Sequence, residues 1–189
     1  DFGSVRALED GAEDMTASRH SILFRPPESF DTGRYNIKGD IYQIGIITYQ
    51  LLGGTLHYDG ERFLNAREAK EYAKIDNEVD RSIFIDRIIE KNAKNGKLLC
   101  FSTLPPWVDH SARRALYAMI NPNPSKRLSS VSDVAAALTH MRSNLSDWKY
   151  EGTDAVLTTC DRVIELRDCK NGNYEAFHKK GTNTRRVPG

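Results

Sequence analysis

The sequence predicts a mainly α-helical body followed by a small antiparallel β-rich extension, and three observations predict it. An uncharged apolar run at residues 41–52, interrupted only by polar Gln43, Thr48 and Gln50, reads as a helix buried in a domain centre. Further along, Ala66, Ala69 and Ala73, then Val79, Ile83 and Ile88, then Ala112, Leu116 and Met119 recur at helical intervals. From Asp147 the pattern changes to short runs at 155–160, 162–167 and 174–178, with turn signals between them, notably Asn171-Gly172. These runs predict a three-stranded antiparallel meander, with a fourth strand near 185–187.

Each element has its local justification. Residues 4–25 are polar, with Glu9, Asp10, Glu13 and Asp14 among the hydroxyls of Ser4, Thr16, Ser18 and Ser21, and read as a loop. Asp40 precedes the buried helix, where a carboxylate can cap a helix N-terminus. Gly53-Gly54 supplies the helix stop. Between Gly54 and Pro105 the charges interleaved with apolar positions predict one or two amphipathic helices. A loop follows at Leu104-Pro105-Pro106-Trp107, with Trp107 as its expected anchor, and Ser130-Val131-Ser132-Asp133 reads as a capping box. That box opens a last helix with Val131, Val134, Leu138 and Met141 along one face.

Composition excludes several classes. At 189 residues, with 39% hydrophobic and 28% charged, the chain is long enough to bury a core. Its longest apolar run falls far short of the roughly 20 residues a bilayer demands. The N-terminal residues lack the basic start and apolar run of a secretory signal, so a cytoplasmic, intracellular location is expected. Cys100, Cys160 and Cys169 are odd in number and show no CxxC spacing, which argues for reduced thiols rather than a zinc site or disulfide framework. A net charge of +1 names no partner. Arg162, Arg167, Lys179, Lys180, Arg185 and Arg186 make the extension basic, but without the aromatic interleaving of a single-strand platform, nucleic acid is not an expected partner.

Four motifs stand in a telling order: Asp1-Phe2-Gly3, then Phe24-Arg25-Pro26-Pro27-Glu28, then Asp40-Ile41-Tyr42-Gln43-Ile44-Gly45, then Arg127 in Asn121-Pro122-Asn123-Pro124-Ser125-Lys126-Arg127. That order resembles the large lobe of a protein kinase from its Asp-Phe-Gly element onward, over about 1–143. The implied fold is a kinase-like large lobe, part of an α+β kinase fold, with an activation segment at 1–28, a helical core at 37–143 and an enlarged insert at about 55–105; the β extension at 147–189 lies outside the resemblance. By the same resemblance Asp1 binds Mg2+ that bridges the phosphates of ATP, while Phe2 and Gly3 complete the nucleotide-side motif. Ser21, Pro26 and Pro27 belong to the substrate loop, and Thr16 and Ser18 are candidate phosphorylation sites. Glu28, Asp40 and Arg127 form the supporting frame: Glu28 pairs with Arg127, and Asp40 accepts backbone N–H groups of the catalytic loop. Ser21 in place of the usual threonine keeps the hydroxyl, and no Pro-x-x-Trp pattern follows, which favours serine/threonine over tyrosine specificity.

No His-Arg-Asp and no Gly-x-Gly-x-x-Gly occurs in the 189 residues. The resemblance therefore implies that the base aspartate, the small lobe and the catalytic loop lie upstream or on a separate chain, and residues 1–189 alone are expected to be inactive. The expected whole is a serine/threonine kinase acting on a protein substrate with ATP and Mg2+. The alternative is a pseudokinase scaffold that keeps the fold without phosphotransfer.

Overall fold

The computed structural model describes residue 11 and residues 14–16, 21–159, 162–171 and 173–187. The chain divides into two compact units, 1–143 and 144–189.

In the first unit a two-residue strand β1 (Met15–Thr16) pairs antiparallel with β2 (Arg34–Tyr35), on either side of a 3-10 turn at Ile22–Phe24 and the short helix α1 (Ser29–Thr32). Gly33 ends α1 at φ 63, a left-handed conformation that costs glycine nothing. Helix α2 (Ile37–Leu51) follows, capped by Asn36, whose Oδ1 accepts from Lys38 N at 2.9 Å. The helix thus begins at Ile37, and Asp40 sits within its first turn; the capping role expected of Asp40 belongs to Asn36.

Helix α2 buries Ile41, Tyr42, Gly45, Ile46 and Tyr49, but it is not covered all round as its uncharged sequence suggests: Ile47 is 48% and Leu51 82% exposed. Ile41 meets Met119 and Val134 in the core, with Ile44, Ile120, Leu128 and Leu138 packed around them. Met119 ends helix α5 (His110–Met119), capped by Asp109 Oδ1 accepting from Ala112 N at 2.7 Å. Gly45 faces the C-terminal end of α5 closely: a Cβ there would stand 2.5 Å from Ile120 Cγ2 and 2.8 Å from Met119 Cβ. Because Met119 Cβ is anchored to its backbone, a whole helix must shift to relieve the clash. Gly45→Ala is therefore expected to cost about 1–3 kcal/mol by overpacking, more than the roughly 1 kcal/mol that alanine's helix propensity returns. Thermal melts check this, and a raised Tm would overturn the close approach.

Between α2 and α5 lie two further helices, α3 (Ala66–Tyr72) and α4 (Glu78–Lys94). Asn65 and Glu68 form a reciprocal capping box on α3, and Asn77 Oδ1 caps α4 by accepting from Val79 N at 2.8 Å. The face expected to be buried is largely in solvent: Ala66, Ala69, Ala73, Val79 and Ile83 are exposed, while Ile88, Ile89 and Ala93 of α4 go into the core. Helix α3 buries no residue and is held from its polar side, where Lys91 Nζ donates to Glu68 Oε1 at 2.9 Å. At the other end of α4, Lys94 Nζ donates to Glu90 Oε1 at 2.7 Å and to Asp31 Oδ1 of α1 at 2.5 Å.

The loop after α4 is pinned by Arg113 of α5. Its guanidinium donates to the carbonyls of Phe101 at 2.7 Å, Val108 at 2.9 Å, Pro105 at 3.2 Å and Leu104 at 3.3 Å. Trp107, the expected anchor, is half-buried. From α2 the Tyr49 hydroxyl reaches the same loop, lying 2.6 Å from Thr103 Oγ1 and 2.9 Å from the Cys100 carbonyl; burial pushes its pKa up. Helix α6 (Val131–Asn144) opens with Ser130 Oγ accepting from Asp133 N at 3.1 Å and buries Val134 and Met141, with Val131 left exposed.

The second unit is a five-stranded antiparallel meander in sequence order: β3 (Trp148–Glu151), β4 (Asp154–Thr158), β5 (Val163–Asp168), β6 (Tyr174–Lys180) and β7 (Asn183–Arg186). It exceeds the expected three or four strands by β3, a four-residue edge strand whose Trp148-Lys149-Tyr150-Glu151 alternates only briefly and whose last three residues are exposed. Register places Trp148, Leu157, Ile164 and His178 on one face and Val156, Glu165, Phe177 and Arg186 on the other. The charged face is internally neutralised: Arg167 Nε donates to Glu165 Oε1 at 2.8 Å and lies 4.1 Å over the Phe177 ring, and Arg186 pairs with Glu175 at 2.6 Å. Glu165 is accordingly held below the ordinary carboxylate range, chiefly by its bond from Arg167. Among the described residues no helix is long and apolar enough to cross a membrane.

Candidate functional site

The site is assembled where the 22–35 segment returns to the helical core. Leu23, Pro26, Pro27 and Ser29 are buried, and Ser29 Oγ donates to the Pro26 carbonyl at 2.8 Å while accepting from Arg25 Nε at 3.1 Å. The Arg25 guanidinium also donates to the Ser29 carbonyl at 2.9 Å and stacks over Phe30 at 4.8 Å. These contacts give the Pro26-Pro27 corner one conformation and aim Glu28 inward. Ser21 is exposed at the start of the 3-10 turn, where its carbonyl accepts from Phe24 N at 2.9 Å.

Glu28 meets Arg127, ninety-nine residues away in sequence, in a fork-to-fork pair: the two terminal guanidinium nitrogens donate to Oε1 at 2.9 Å and to Oε2 at 2.7 Å. The remaining donors of Arg127 are also used. Nε donates to the Asn121 carbonyl at 2.7 Å, and the terminal nitrogens donate to the carbonyls of Lys38 at 2.7 Å and Pro122 at 3.3 Å. The Arg127 side chain is 0% exposed and that of Glu28 20%. The guanidinium lies 4.9 Å over the Tyr42 ring, whose hydroxyl pKa is raised by burial, an effect that Arg127 partly offsets. Lys38 Nζ closes the other side by donating to the Leu128 carbonyl at 2.7 Å. Arginine stays protonated throughout the physiological range, so this cluster holds a shape and moves no proton. It clamps the substrate-loop candidates Pro26 and Pro27 to the first turn of α2, where Asp40 lies on the exposed side.

A second pair sits beside it. Arg34 Nε donates to Asp14 Oδ1 at 2.7 Å, and a terminal nitrogen lies 2.6 Å from the same oxygen. A cleft of about 170 Å3 lies here, lined by Asp14, Glu28, Thr32, Arg34, Asn36 and Pro124. The sequence offers no signal for Arg34 or for Arg113, because each earns its role from a partner that no local pattern specifies.

Of the sequence-derived candidates, the structure brings Pro26, Pro27, Glu28 and Arg127 together. Thr16 lies in β1, opposite Arg34. Asp1, Phe2, Gly3 and Ser18 lie outside the described residues, as does Cys160, while Cys100 and Cys169 are free thiols. Among the described residues no group of three or more His, Cys, Asp or Glu side chains could hold a metal ion.

The Pro26-Pro27-Glu28 segment is thus locked onto a helical core by a carboxylate–arginine fork. The family model for the protein kinase domain matches residues 1–141, and the chain belongs to that family. Among curated proteins it is similar to a receptor-like serine/threonine-protein kinase, At1g78530, of Arabidopsis thaliana, at 36% identity over 64 residues, 33% of this chain and 18% of that protein. It is also similar to the mitogen-activated protein kinase kinase kinase mom-4 of Caenorhabditis elegans, at 38% identity over 52 residues, 28% of this chain and 9% of that protein. The matches thus span less than a fifth of the length of these relatives.

Proposed function

We propose that the chain is part of a serine/threonine protein kinase that transfers the γ-phosphoryl group of ATP to a protein hydroxyl. Its share of the work is the Asp1-Phe2-Gly3 element, the activation segment and the substrate-side lobe; the base aspartate and the small lobe come from residues outside 1–189. The single observation that carries this is the Glu28–Arg127 fork. It joins the end of the activation segment to the loop before the last large-lobe helix, which is the frame a kinase needs to hold a peptide hydroxyl near the transferred phosphate. The serine/threonine description of the Arabidopsis thaliana relative supports the substrate class.

Asp1 is the residue proposed to ligate Mg2+, which when bound neutralises charge on the phosphates. Asp1 lies outside the described residues, among which no group of three or more His, Cys, Asp or Glu side chains could hold a metal ion. What this chain's own residues do is orient: Pro26, Pro27 and Glu28 present a rigid ledge for the peptide, with Ser21 at its exposed entrance.

A phosphotransfer assay tests the proposal. The longer gene product, incubated with labelled ATP, Mg2+ and a general serine/threonine substrate, is expected to transfer phosphate, while residues 1–189 alone transfer none. Absence of transfer from the longer protein, with its fold intact by circular dichroism, would replace the enzyme by a scaffold of the pseudokinase kind.

A further inference from the structure

We propose that Arg87, Lys91 and Lys94 form a docking cleft for an acidic stretch of the protein substrate. The inference deepens the kinase reading above, rests on it for the presence of a protein substrate, and adds the chemistry by which that substrate is chosen.

The three cations follow one another along one side of α4, at i, i+4 and i+7. With Glu90 and Asn95 they line a cleft of about 420 Å3, so that among the described residues its lining sets three cations against one carboxylate. The helix itself explains part of this arrangement. Its C-terminal end is negative, and Lys91 and Lys94 lie in the last turn, where a cation is favoured in any helix. Arg87 stands two turns before the Asn95 cap, beyond the reach of that effect. Its side chain is exposed and makes no hydrogen bond or ion pair among the described residues.

The lysines are engaged without being used up. An ammonium carries three N–H groups. Lys91 Nζ uses one on Glu68 Oε1 at 2.9 Å, and Lys94 Nζ uses two, on Glu90 Oε1 at 2.7 Å and on Asp31 Oδ1 at 2.5 Å. Glu68 and Asp31 reach the two ammonium groups from α3 and α1, outside the lining, and orient them. Spacing selects the partner. Residues four apart on a helix are separated by a rise of about 6 Å, close to the roughly 6.6 Å between same-side residues of an extended peptide. Acidic side chains at alternate positions of such a peptide therefore meet Arg87 and Lys91 in register, with Lys94 beyond them. A nucleic-acid strand would find no ring to stack on, since the described lining holds no aromatic residue. Lys94 also places the cleft: its bond to Asp31 ties the end of α4 to α1, three residues past Glu28, so a peptide seated on the Pro26-Pro27 ledge can carry an acidic segment along α4.

The test follows fluorescein-labelled peptides binding to the longer protein by anisotropy, without ATP. One peptide carries glutamate at three alternate positions in a Gly-Ser background, and its counterpart carries glutamine there. The glutamate peptide is expected to bind about tenfold more tightly at low salt, with the preference fading as ionic strength rises. Arg87→Gln should cut that preference by about threefold, the share of one exposed charge pair. Arg87→Glu with Lys91→Glu should reverse it in favour of a peptide with lysine at the same positions. Arg185→Gln with Arg186→Gln, in the basic extension, should leave it intact. Equal binding of the two peptides, a preference untouched by the α4 variants, or one lost with the extension variants would overturn the assignment, as would tighter binding of a single-stranded oligonucleotide of equal charge. Should the double variant fail to fold, Arg87→Gln decides, because that side chain is exposed and holds no described residue in place. A glutamate preference that responds to Arg87 in a protein that transfers no phosphate keeps the cleft and removes the enzyme, whereas phosphotransfer without that preference removes the cleft alone.

Discussion

Arg127→Ala is expected to destabilise the first unit by about 3–5 kcal/mol, the range for breaking a buried ion pair from one side. The substitution strands more than Glu28. It takes donors from the carbonyls of Lys38, Asn121 and Pro122, each within 3.3 Å of the guanidinium, and removes the cation over Tyr42. Glu28, at 20% exposure, recovers part of its hydration, which places the effect inside that range rather than above it. Glu28→Gln keeps an acceptor and loses only the charge, so its cost should be about 1–3 kcal/mol. Arg127→Lys should fall between the two, because an ammonium cannot fork to a carboxylate and reach three carbonyls at once. Urea denaturation of the three variants gives the order directly. A midpoint unchanged in Arg127→Ala would mean that the fork contributes nothing to holding the segment.

In the longer protein proposed to transfer phosphate, Asp1→Ala is expected to lower turnover by about a thousandfold or more. A carboxylate that serves metal-assisted charge stabilisation contributes several kcal/mol to the transition state, and each 1.36 kcal/mol or so is worth a factor of ten in rate. Because a collapsed fold would mimic this loss, Asp1→Asn belongs beside it: the amide keeps the shape of the side chain and removes its charge. Both variants should melt with the parent and fail in transfer. Undiminished turnover in either would overturn the role proposed for Asp1 and, with it, the register of the motif series at the start of the chain.

The two predictions draw on different sources. The partners Glu28 and Arg127 can be named from motif order alone, but the sequence says nothing of the three carbonyls that share the guanidinium or of the Tyr42 ring beneath it. Those contacts arise because the 121–128 loop folds back against the first turn of α2, a consequence of packing. Arg34 and Asp14 show the limit from the other side, since nothing within a few residues of either one points to the other, twenty residues away.

What the sequence by itself determined is local. Helices start where Asn65, Asn77, Asp109 and Ser130 can accept their free N–H groups, and the β extension is written in alternating runs broken at turns, because capping and periodicity are settled within one or two turns of chain. Only the tertiary structure decided which faces are covered. Ala66, Ala69 and Val79 have helical spacing yet face water, Ile88 and Ile89 are buried, Leu51 is left exposed on an uncharged helix, and a fifth strand joins the meander from its edge. Burial and pairing depend on what lies opposite a residue in space. That is set by the whole chain and by no stretch of it, which is why a spacing can announce a helix without saying which side of it will be dry.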